Sequence, residues 1–108
     1  MRILFDQGTP VPIRSFLKGH TVRTAFQERW DTLRNGDLLE AAESAGFDLL
    51  LITDKNLRYQ QNLEGRRIAI IVLGRQQWPD LRPHVQLVVD AVNGCSAGSC
   101  TEVEIPDA

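Results

Sequence analysis

The chain is poor in the residues that cross-link small folds, and it lacks a long apolar run. Its two cysteines, Cys95 and Cys100, do not by themselves complete a zinc site, and His20 and His84 have no ligand-like spacing. The longest apolar run, 68–73, has six residues, whereas a membrane-spanning helix needs about 20. We therefore predict neither a zinc site nor a membrane span.

Several enzyme signatures are also missing. The sequence contains no GxGxxG and no GxxxxGK[ST] pattern, so both nucleotide-binding fingerprints are excluded. No Ser or Cys lies in a nucleophile-elbow motif. The first residues lead directly into a strand pattern without the apolar region of a secretion signal, which predicts a cytoplasmic protein. A disulfide is disfavoured there, so we interpret both cysteines as ordinary loop residues.

Composition and charge indicate one ordinary globular domain, residues 1–108. Hydrophobic residues make up 43% and charged residues 24% of the chain, and the net charge is −2. Basic residues concentrate in 14–34 and 55–82, on both sides of the acidic segment 37–54. This pattern suits a metal site that receives a phosphate backbone. Scattered, solvated arginines explain the same pattern equally well.

Strand-like and helix-like segments alternate along the chain. The predicted strands are 2–6, 20–25, 47–53, 67–73 and 101–105. The predicted helices are 10–18, with Thr9 as N-cap, 35–45, ending at Gly46, and 79–92. Between them, 26–34 is predicted to be an irregular or short helical connection, 55–63 a short helix or turn, and 94–100 a flexible loop before a terminal edge strand. The pattern predicts a three-layer α/β/α domain with a mostly parallel sheet of about five strands.

Two aspartates each follow an apolar strand. Asp6 closes the first strand, and Asp54 follows the third. Ligands bind outside the carboxyl ends of parallel strands, so we expect these carboxylates to share one site. Crowded carboxylates favour a cation, and hard oxygen ligands suit Mg²⁺ or Mn²⁺. The alternative is that Asp6 marks a turn and Asp54 caps a helix.

Further candidates surround this pair. Asp37 lies in the first turn of the second helix, where the helix dipole alone also explains an acid. Glu40, one turn later, is a weaker reserve ligand. Thr53 and Asn56 are predicted to orient the ligands or a water molecule. The following polar segment predicts a substrate-binding set or, alternatively, a solvated surface helix; its members are Lys55, Arg58, Gln60 and Gln61.

Three blocks of the chain resemble a known family. Residues 1–10 (MRILFDQGTP), 35–39 (NGDLL) and 51–63 (LITDKNLRYQQNL) are similar to blocks of small bacterial PIN-like domains of uncharacterised function. The resemblance covers about residues 1–74. It implies a PIN-like α/β/α fold and kinship to VapC-type toxin nucleases, which bind Mg²⁺ or Mn²⁺ through clustered acids and cleave RNA.

The resemblance also assigns roles by position. Asp6, Asp37 and Asp54 match the acidic, metal-binding positions of the family, and an antitoxin partner is implied. The chain departs from the fuller pattern at Gln7, where many relatives have Glu, and at Asn56, where many have Asp. Each departure removes a negative charge.

The strand-end acids together with the resemblance predict a metal-dependent ribonuclease that acts on RNA, and the resemblance further implies a role as the toxin of a toxin–antitoxin pair. The rival hypothesis is a catalytically inactive PIN-like module that binds RNA or a protein. A phospho-acceptor receiver ranks last, because Gln7 replaces its second acid and Gly74–Arg75 replaces its lysine. A homodimer through the last helix or the edge strand is also predicted.

Overall fold

Five short strands form one parallel sheet in the computed structural model, which describes residues 1–54 and 65–106. The strands are β1 (Arg2–Phe5), β2 (Thr21–Thr24), β3 (Leu49–Ile52), β4 (Ala69–Leu73) and β5 (Cys100–Val103). Their order is β2-β1-β3-β4-β5, and every neighbouring pair is parallel. The helices are α1 (Asn35–Ser44), α2 (Trp78–Leu81) and α3 (Val85–Gly94), with 3₁₀ helices at Val11–Phe16 and Arg82–His84. The predicted α/β fold is confirmed.

The central strands are apolar because both of their faces are covered. Every residue of β3 and β4 is buried. Odd-numbered residues of β1, β3 and β4, such as Phe5 and Leu51, and Val22 of β2 pack against the first 3₁₀ helix, α2 and α3; we call this layer the α3-side core. Even-numbered residues of β1, β3 and β4, such as Leu4 and Leu50, pack against α1, in the α1-side core. The sheet is therefore the middle layer of three.

The three described crossovers do not share one hand. The first 3₁₀ helix, between β1 and β2, and helices α2 and α3, between β4 and β5, cover the same face of the sheet. The two connections displace the chain in opposite directions across the sheet, so they have opposite hands. The β2–β3 crossover lies on the opposite face of the sheet from the β1–β2 crossover and runs in the opposite direction across it. These two crossovers therefore have the same hand. Because about 98% of parallel crossovers are right-handed, we infer that the β4–β5 connection is the exception.

The beginning of the first helix differs from the prediction. The segment forms a 3₁₀ helix whose N-cap is Pro10 and has no capping side-chain bond. Thr9 was expected to cap this helix, and that expectation was wrong. The Thr9 hydroxyl is buried and lies within hydrogen-bond distance of Asp6 Oδ1 and of the Leu51 carbonyl oxygen of β3. A long-range partner thus replaces the local capping bond.

The last predicted helix is divided in two. The chain forms α2, then the 3₁₀ turn Arg82–His84, then α3, rather than one helix over 79–92. Pro83 lies within the turn and has no backbone N–H to donate, so a continuous α-helix would lose a hydrogen bond there. Leu81 and Val88 remain fully buried on either side of the break.

The segment predicted as a flexible loop, 94–100, overlaps α3 at its start and β5 at its end. Between them, the N–H of Ser99 donates to the Ser96 carbonyl at 3.0 Å, and that of Gly98 donates to the Arg67 carbonyl at 2.8 Å. Neither Cys95 nor Cys100 forms a disulfide bond, and both are half-buried. Burial raises the pKa of the Cys95 thiol. β5 is an edge strand, as predicted.

None of the helices in residues 1–54 and 65–106 combines the length and the apolar character that crossing a membrane requires.

The side chain of Glu43 joins α1 to the start of β4. Its Oε2 accepts the backbone N–H groups of Arg67 at 2.9 Å and Ile68 at 3.2 Å. These bonds, aided by Arg66 at 3.6 Å, lower the pKa of Glu43 below its usual value of 4.5. We therefore expect Glu43→Ala to lower the free energy of unfolding by about 1 kcal/mol at pH 7. The Arg66 pair adds little, since both side chains are partly exposed.

The stabilisation by Glu43 should be present above pH 4.5 and disappear as the pH falls through the lowered folded-state pKa. Urea unfolding at several pH values measures this, with the exposed Glu40 of the same helix replaced by Ala as the control. Equal losses for the two variants at pH 7 would contradict the assignment.

Candidate active site

The site follows from the order of the strands. β1 and β3 are neighbours, but the chain leaves β1 towards β2 on one side of the sheet and leaves β3 towards β4 on the other. A crevice forms outside the carboxyl ends of two strands whose connections diverge in this way. Asp6 directly follows β1, and Asp54 comes two residues after the end of β3. Both aspartates therefore lie at the mouth of this crevice.

A cavity of about 320 Å³ occupies the crevice. Asp6 and Asp54, which were predicted to share a site, both line it. The complete lining is Asp6, Gln7, Ala25, Trp30, Asp31, Leu33, Arg34, Leu38 and Asp54. Three aspartates, one arginine and one tryptophan thus line a single space.

Asp6 is held by hydrogen bonds to both of its carboxyl oxygens. Oδ1 lies 2.5 Å from the Thr9 hydroxyl, and Oδ2 accepts the backbone N–H of Thr53 at 3.5 Å. Burial nevertheless raises the pKa of Asp6 above its ordinary value of 3.8, because the hydrogen bonds only partly offset the loss of hydration. A cation in the cavity would favour the ionised carboxylate.

The Thr9 hydroxyl links Asp6 to the backbone of β3. It lies 2.5 Å from Asp6 Oδ1 and 2.8 Å from the Leu51 carbonyl oxygen. Thr9 has one hydroxyl proton, so it can donate to one of these acceptors at a time. When Asp6 is protonated, Asp6 can donate to Thr9 while Thr9 donates to Leu51, and both contacts are satisfied. The arrangement therefore fixes the carboxyl group in either protonation state.

Gly8 lets the chain turn closely against β3. A Cβ atom at this position would collide with the Thr53 hydroxyl and lie 3.9 Å from Asp6 Oδ1. Thr53 is 7% exposed and cannot move into solvent without a shift of the strand end. Thr53 was predicted to support the ligands, and the bond from its N–H to Asp6 places it beside one of them.

We expect Gly8→Ala to lower the free energy of unfolding by about 1 to 3 kcal/mol, because the new methyl group overpacks the contact with Thr53. Gly94→Ala is the matched control: a Cβ at Gly94, the last residue of α3, meets no atom within 4 Å. Thermal unfolding of both variants measures the difference. A Gly8→Ala protein as stable as Gly94→Ala would disprove the close-contact explanation.

Sequence reasoning missed three residues that line the cavity, namely Trp30, Asp31 and Arg34. All belong to the segment after β2, which was interpreted as an irregular or short helical connection. A parallel sheet places the carboxyl ends of its strands at one edge, but the sequence did not indicate that β2 pairs with β1. Trp30 also packs edge-to-face against Phe47, with ring centroids 6.1 Å apart. This contact holds the wall of the cavity against the α1-side core.

The other predicted site residues are placed differently. Asp37 is exposed in the first turn of α1 and is not among the residues that line the cavity. Glu40 is also exposed. Four predicted substrate-binding residues and one predicted supporting residue lie outside the described part of the chain; these are Lys55, Arg58, Gln60, Gln61 and Asn56.

Mg²⁺ and Mn²⁺ prefer oxygen ligands, and the aspartates that line the cavity are donors of this type. In residues 1–54 and 65–106, no group of three or more His, Cys, Asp or Glu side chains is placed to hold a metal ion. The cavity does offer Asp6, whose burial disfavours an uncompensated charge, together with Asp54. Mg²⁺ commonly uses one or two protein carboxylates and completes its shell with water and substrate phosphate. The residues fit such a sparsely ligated ion.

A second, larger cavity of about 450 Å³ lies at the carboxyl ends of β4 and β5. Its walls include Gly74, Arg75, Glu102 and Glu104, but neither Asp6 nor Asp54. Of these two cavities, the smaller is therefore the one that the acidic pair lines.

The fold and this site define a three-layer α/β/α protein with an acidic crevice between β1 and β3. Comparison of the chain with protein-family models, with curated proteins and with solved structures found no match.

Proposed function

We propose that the protein is a metal-dependent nuclease of PIN-like type that cleaves RNA in the crevice between β1 and β3. The observation that carries this proposal is that Asp6 and Asp54 line one cavity at the point where the strand connections diverge. The resemblance of three sequence blocks to PIN-like domains supports the same chemistry. On the basis of the same resemblance, we also propose that the protein is a toxin and that an antitoxin protein binds it.

Asp6 and Asp54 would hold Mg²⁺ or Mn²⁺. When bound, the ion supplies Lewis-acid stabilisation of phosphate charge and activates water for attack on the phosphodiester. The Thr9 hydroxyl and the backbone N–H of Thr53 contact the two oxygens of the Asp6 carboxyl group and would fix its orientation for metal binding. Arg34, at the wall of the cavity, is placed to attract the negatively charged backbone of the substrate.

The test is cleavage of a mixed set of single-stranded RNAs by the purified chain with Mn²⁺, and with EDTA in its place. We expect cleavage that needs the metal and falls at least about 100-fold in Asp54→Asn, the size of effect typical when a catalytic charge is removed. Asp90→Asn, on the exposed side of α3, is the matched control. Cleavage that is insensitive to EDTA, or unchanged in Asp54→Asn, would refute the proposal.

A second function, an inactive RNA- or protein-binding module, is favoured by one observation. Gln7 lines the cavity beside Asp6, so a neutral amide stands where the resembled family often carries a glutamate. Under this hypothesis the wild type binds RNA or a partner equally well with Mn²⁺ and with EDTA, and no cleavage product forms.

A further inference from the structure

Phe26 is the most exposed of the large hydrophobic residues in the described part of the chain. Its side chain is 71% exposed, whereas the next, Val11, is 49% exposed. It directly follows Ala25, which lines the acidic cavity. A phenyl ring exposed to this degree contributes little to the core, and Phe26 is the sequence neighbour of a residue that lines the cavity.

The turn that carries Phe26 is well defined. The Thr24 N–H donates to the Gln27 side chain at 3.0 Å, and the Gln27 N–H donates back to the Thr24 hydroxyl at 3.1 Å. The Trp30 N–H donates to the Ala25 carbonyl at 2.8 Å. These bonds hold Arg29 in a left-handed conformation, with φ of +63°. Backbone strain of this kind persists only where surrounding contacts over-determine it.

The segment that carries the ring is polar: besides its arginines it contains Glu28, which is paired with Arg23 at 3.1 Å, and the exposed Asp31. Gln27 and Arg29 are exposed, and Arg34 is exposed at the wall of the cavity. Neither arginine forms an ion pair with the residues that the structure describes. A protein-docking site typically presents a contiguous apolar patch. A single aromatic ring beside exposed cations instead matches sites for single-stranded nucleic acids, which combine base stacking with backbone attraction.

We propose that Phe26 stacks on a nucleobase of a single-stranded nucleic acid whose backbone is drawn to Arg29 and Arg34 and enters the adjacent acidic cavity. This inference rests on the proposed function and deepens it, because it assigns the base contact to a residue outside the acidic pair. Stacking tolerates any base, since every base presents a π face. The substrate class is therefore unpaired nucleic acid without strict sequence specificity.

The experiment measures binding of a short fluorescent single-stranded RNA in EDTA by anisotropy, so that cleavage does not interfere. Phe26→Ala should weaken binding about tenfold, and Phe26→Leu should weaken it similarly, because leucine keeps the apolar surface but has no π face. Phe26→Trp should retain or improve affinity. Leu87→Ala, which removes a 42% exposed side chain from α3, is the control and should bind like the wild type.

A second probe separates stacking from other roles of the ring. An RNA of the same length with abasic sites should bind the wild type about tenfold more weakly than the intact RNA and should abolish the difference between the wild type and Phe26→Ala. If Phe26→Leu binds like the wild type, or if the abasic RNA binds as well as the intact one, the stacking proposal is wrong and Phe26 is assigned to protein contacts.

The two proposals fail in different ways. Binding that depends on Phe26, without Mn²⁺-dependent cleavage, would reject the nuclease and support the stacking site. Cleavage that depends on Asp54, with binding unaffected by Phe26→Ala, would support the nuclease and reject the stacking site. Absence of RNA binding by the wild type in EDTA would reject the stacking site alone, whereas absence of Mn²⁺-dependent cleavage would reject the nuclease.

Discussion

Replacing Asp6 by asparagine is expected to separate stability from activity. The introduced side chain can donate from its amide nitrogen to the Thr9 hydroxyl, Thr9 can donate to the Leu51 carbonyl at 2.8 Å, and the amide oxygen can accept the Thr53 N–H. The variant thereby reproduces the bonds of protonated Asp6 without a buried charge. We expect the free energy of unfolding at pH 7 to rise by about 1 kcal/mol and metal-dependent RNA cleavage to fall at least about 100-fold.

The gain in stability of Asp6→Asn over the wild type should increase as the pH rises. Burial raises the folded-state pKa of Asp6 above 3.8, so the folded protein holds this proton more tightly than the unfolded chain does. The wild type therefore loses stability as the pH rises from 3.8 through the folded-state pKa, and above that pKa the penalty is constant. The introduced asparagine does not titrate. The difference in free energy of unfolding between the variant and the wild type therefore grows as the pH rises from 3.8 through the folded-state pKa of Asp6, and it vanishes below pH 3.8.

Urea unfolding of wild type and Asp6→Asn from acidic to neutral pH measures this gain. Asp90→Asn, an exposed aspartate with one hydrogen bond to Gln86, is the control and should change stability by less than about 0.5 kcal/mol. Should Asp6→Asn be less stable than the wild type at pH 7, the buried carboxylate would be stabilising and our account of Asp6 would fail.

The largest loss of stability is expected from Leu51→Ala. Leu51 is fully buried in β3, between β1 and β4, and its side chain belongs to the α3-side core. Truncation removes apolar contacts and leaves a cavity that a sheet covered on both faces cannot easily close. We expect a loss of about 3 kcal/mol in the free energy of unfolding. Guanidinium unfolding followed by circular dichroism provides the measurement.

Leu87→Ala makes the same chemical change at a 42% exposed position of α3 and should cost less than about 1 kcal/mol. If Leu51→Ala and Leu87→Ala unfold at the same guanidinium concentration, β3 is not the centre of the core. The same pair tests the site, because the Leu51 carbonyl accepts the Thr9 hydroxyl. A shift of β3 should therefore also reduce the cleavage proposed for the Asp6 crevice.

The presence of two aspartates at the carboxyl edge of the sheet could be predicted from local sequence. Asp6 and Asp54 each follow an apolar run, and the parallel-sheet rule alone places such residues at one edge. Gly46, with φ of +85°, ends α1 where the pattern indicated, since glycine adopts the left-handed conformation without strain. Element types follow from such nearest-neighbour signals because they depend on propensity and periodicity within a few residues.

Long-range partners decided what local sequence could not. Thr9 has the local signature of an N-cap, but its hydroxyl reaches Leu51, which is 42 residues away. Asp31 and Arg34 lie in a segment without periodicity, and they line the cavity only because β2 pairs with β1. No pattern within either segment encodes that pairing.

By itself, the sequence determined the alternation of strands and helices, the burial of β3 and β4, and two acids at strand ends. These features depend on side-chain hydrophobicity and backbone preference, which each residue carries with it. The tertiary structure alone decided that β1 lies beside β3, that the two connections diverge there, and that Phe26 is exposed next to the cavity-lining Ala25. Those outcomes depend on the order in which strands pair, which is set by the summed packing of both faces of the sheet rather than by any single segment.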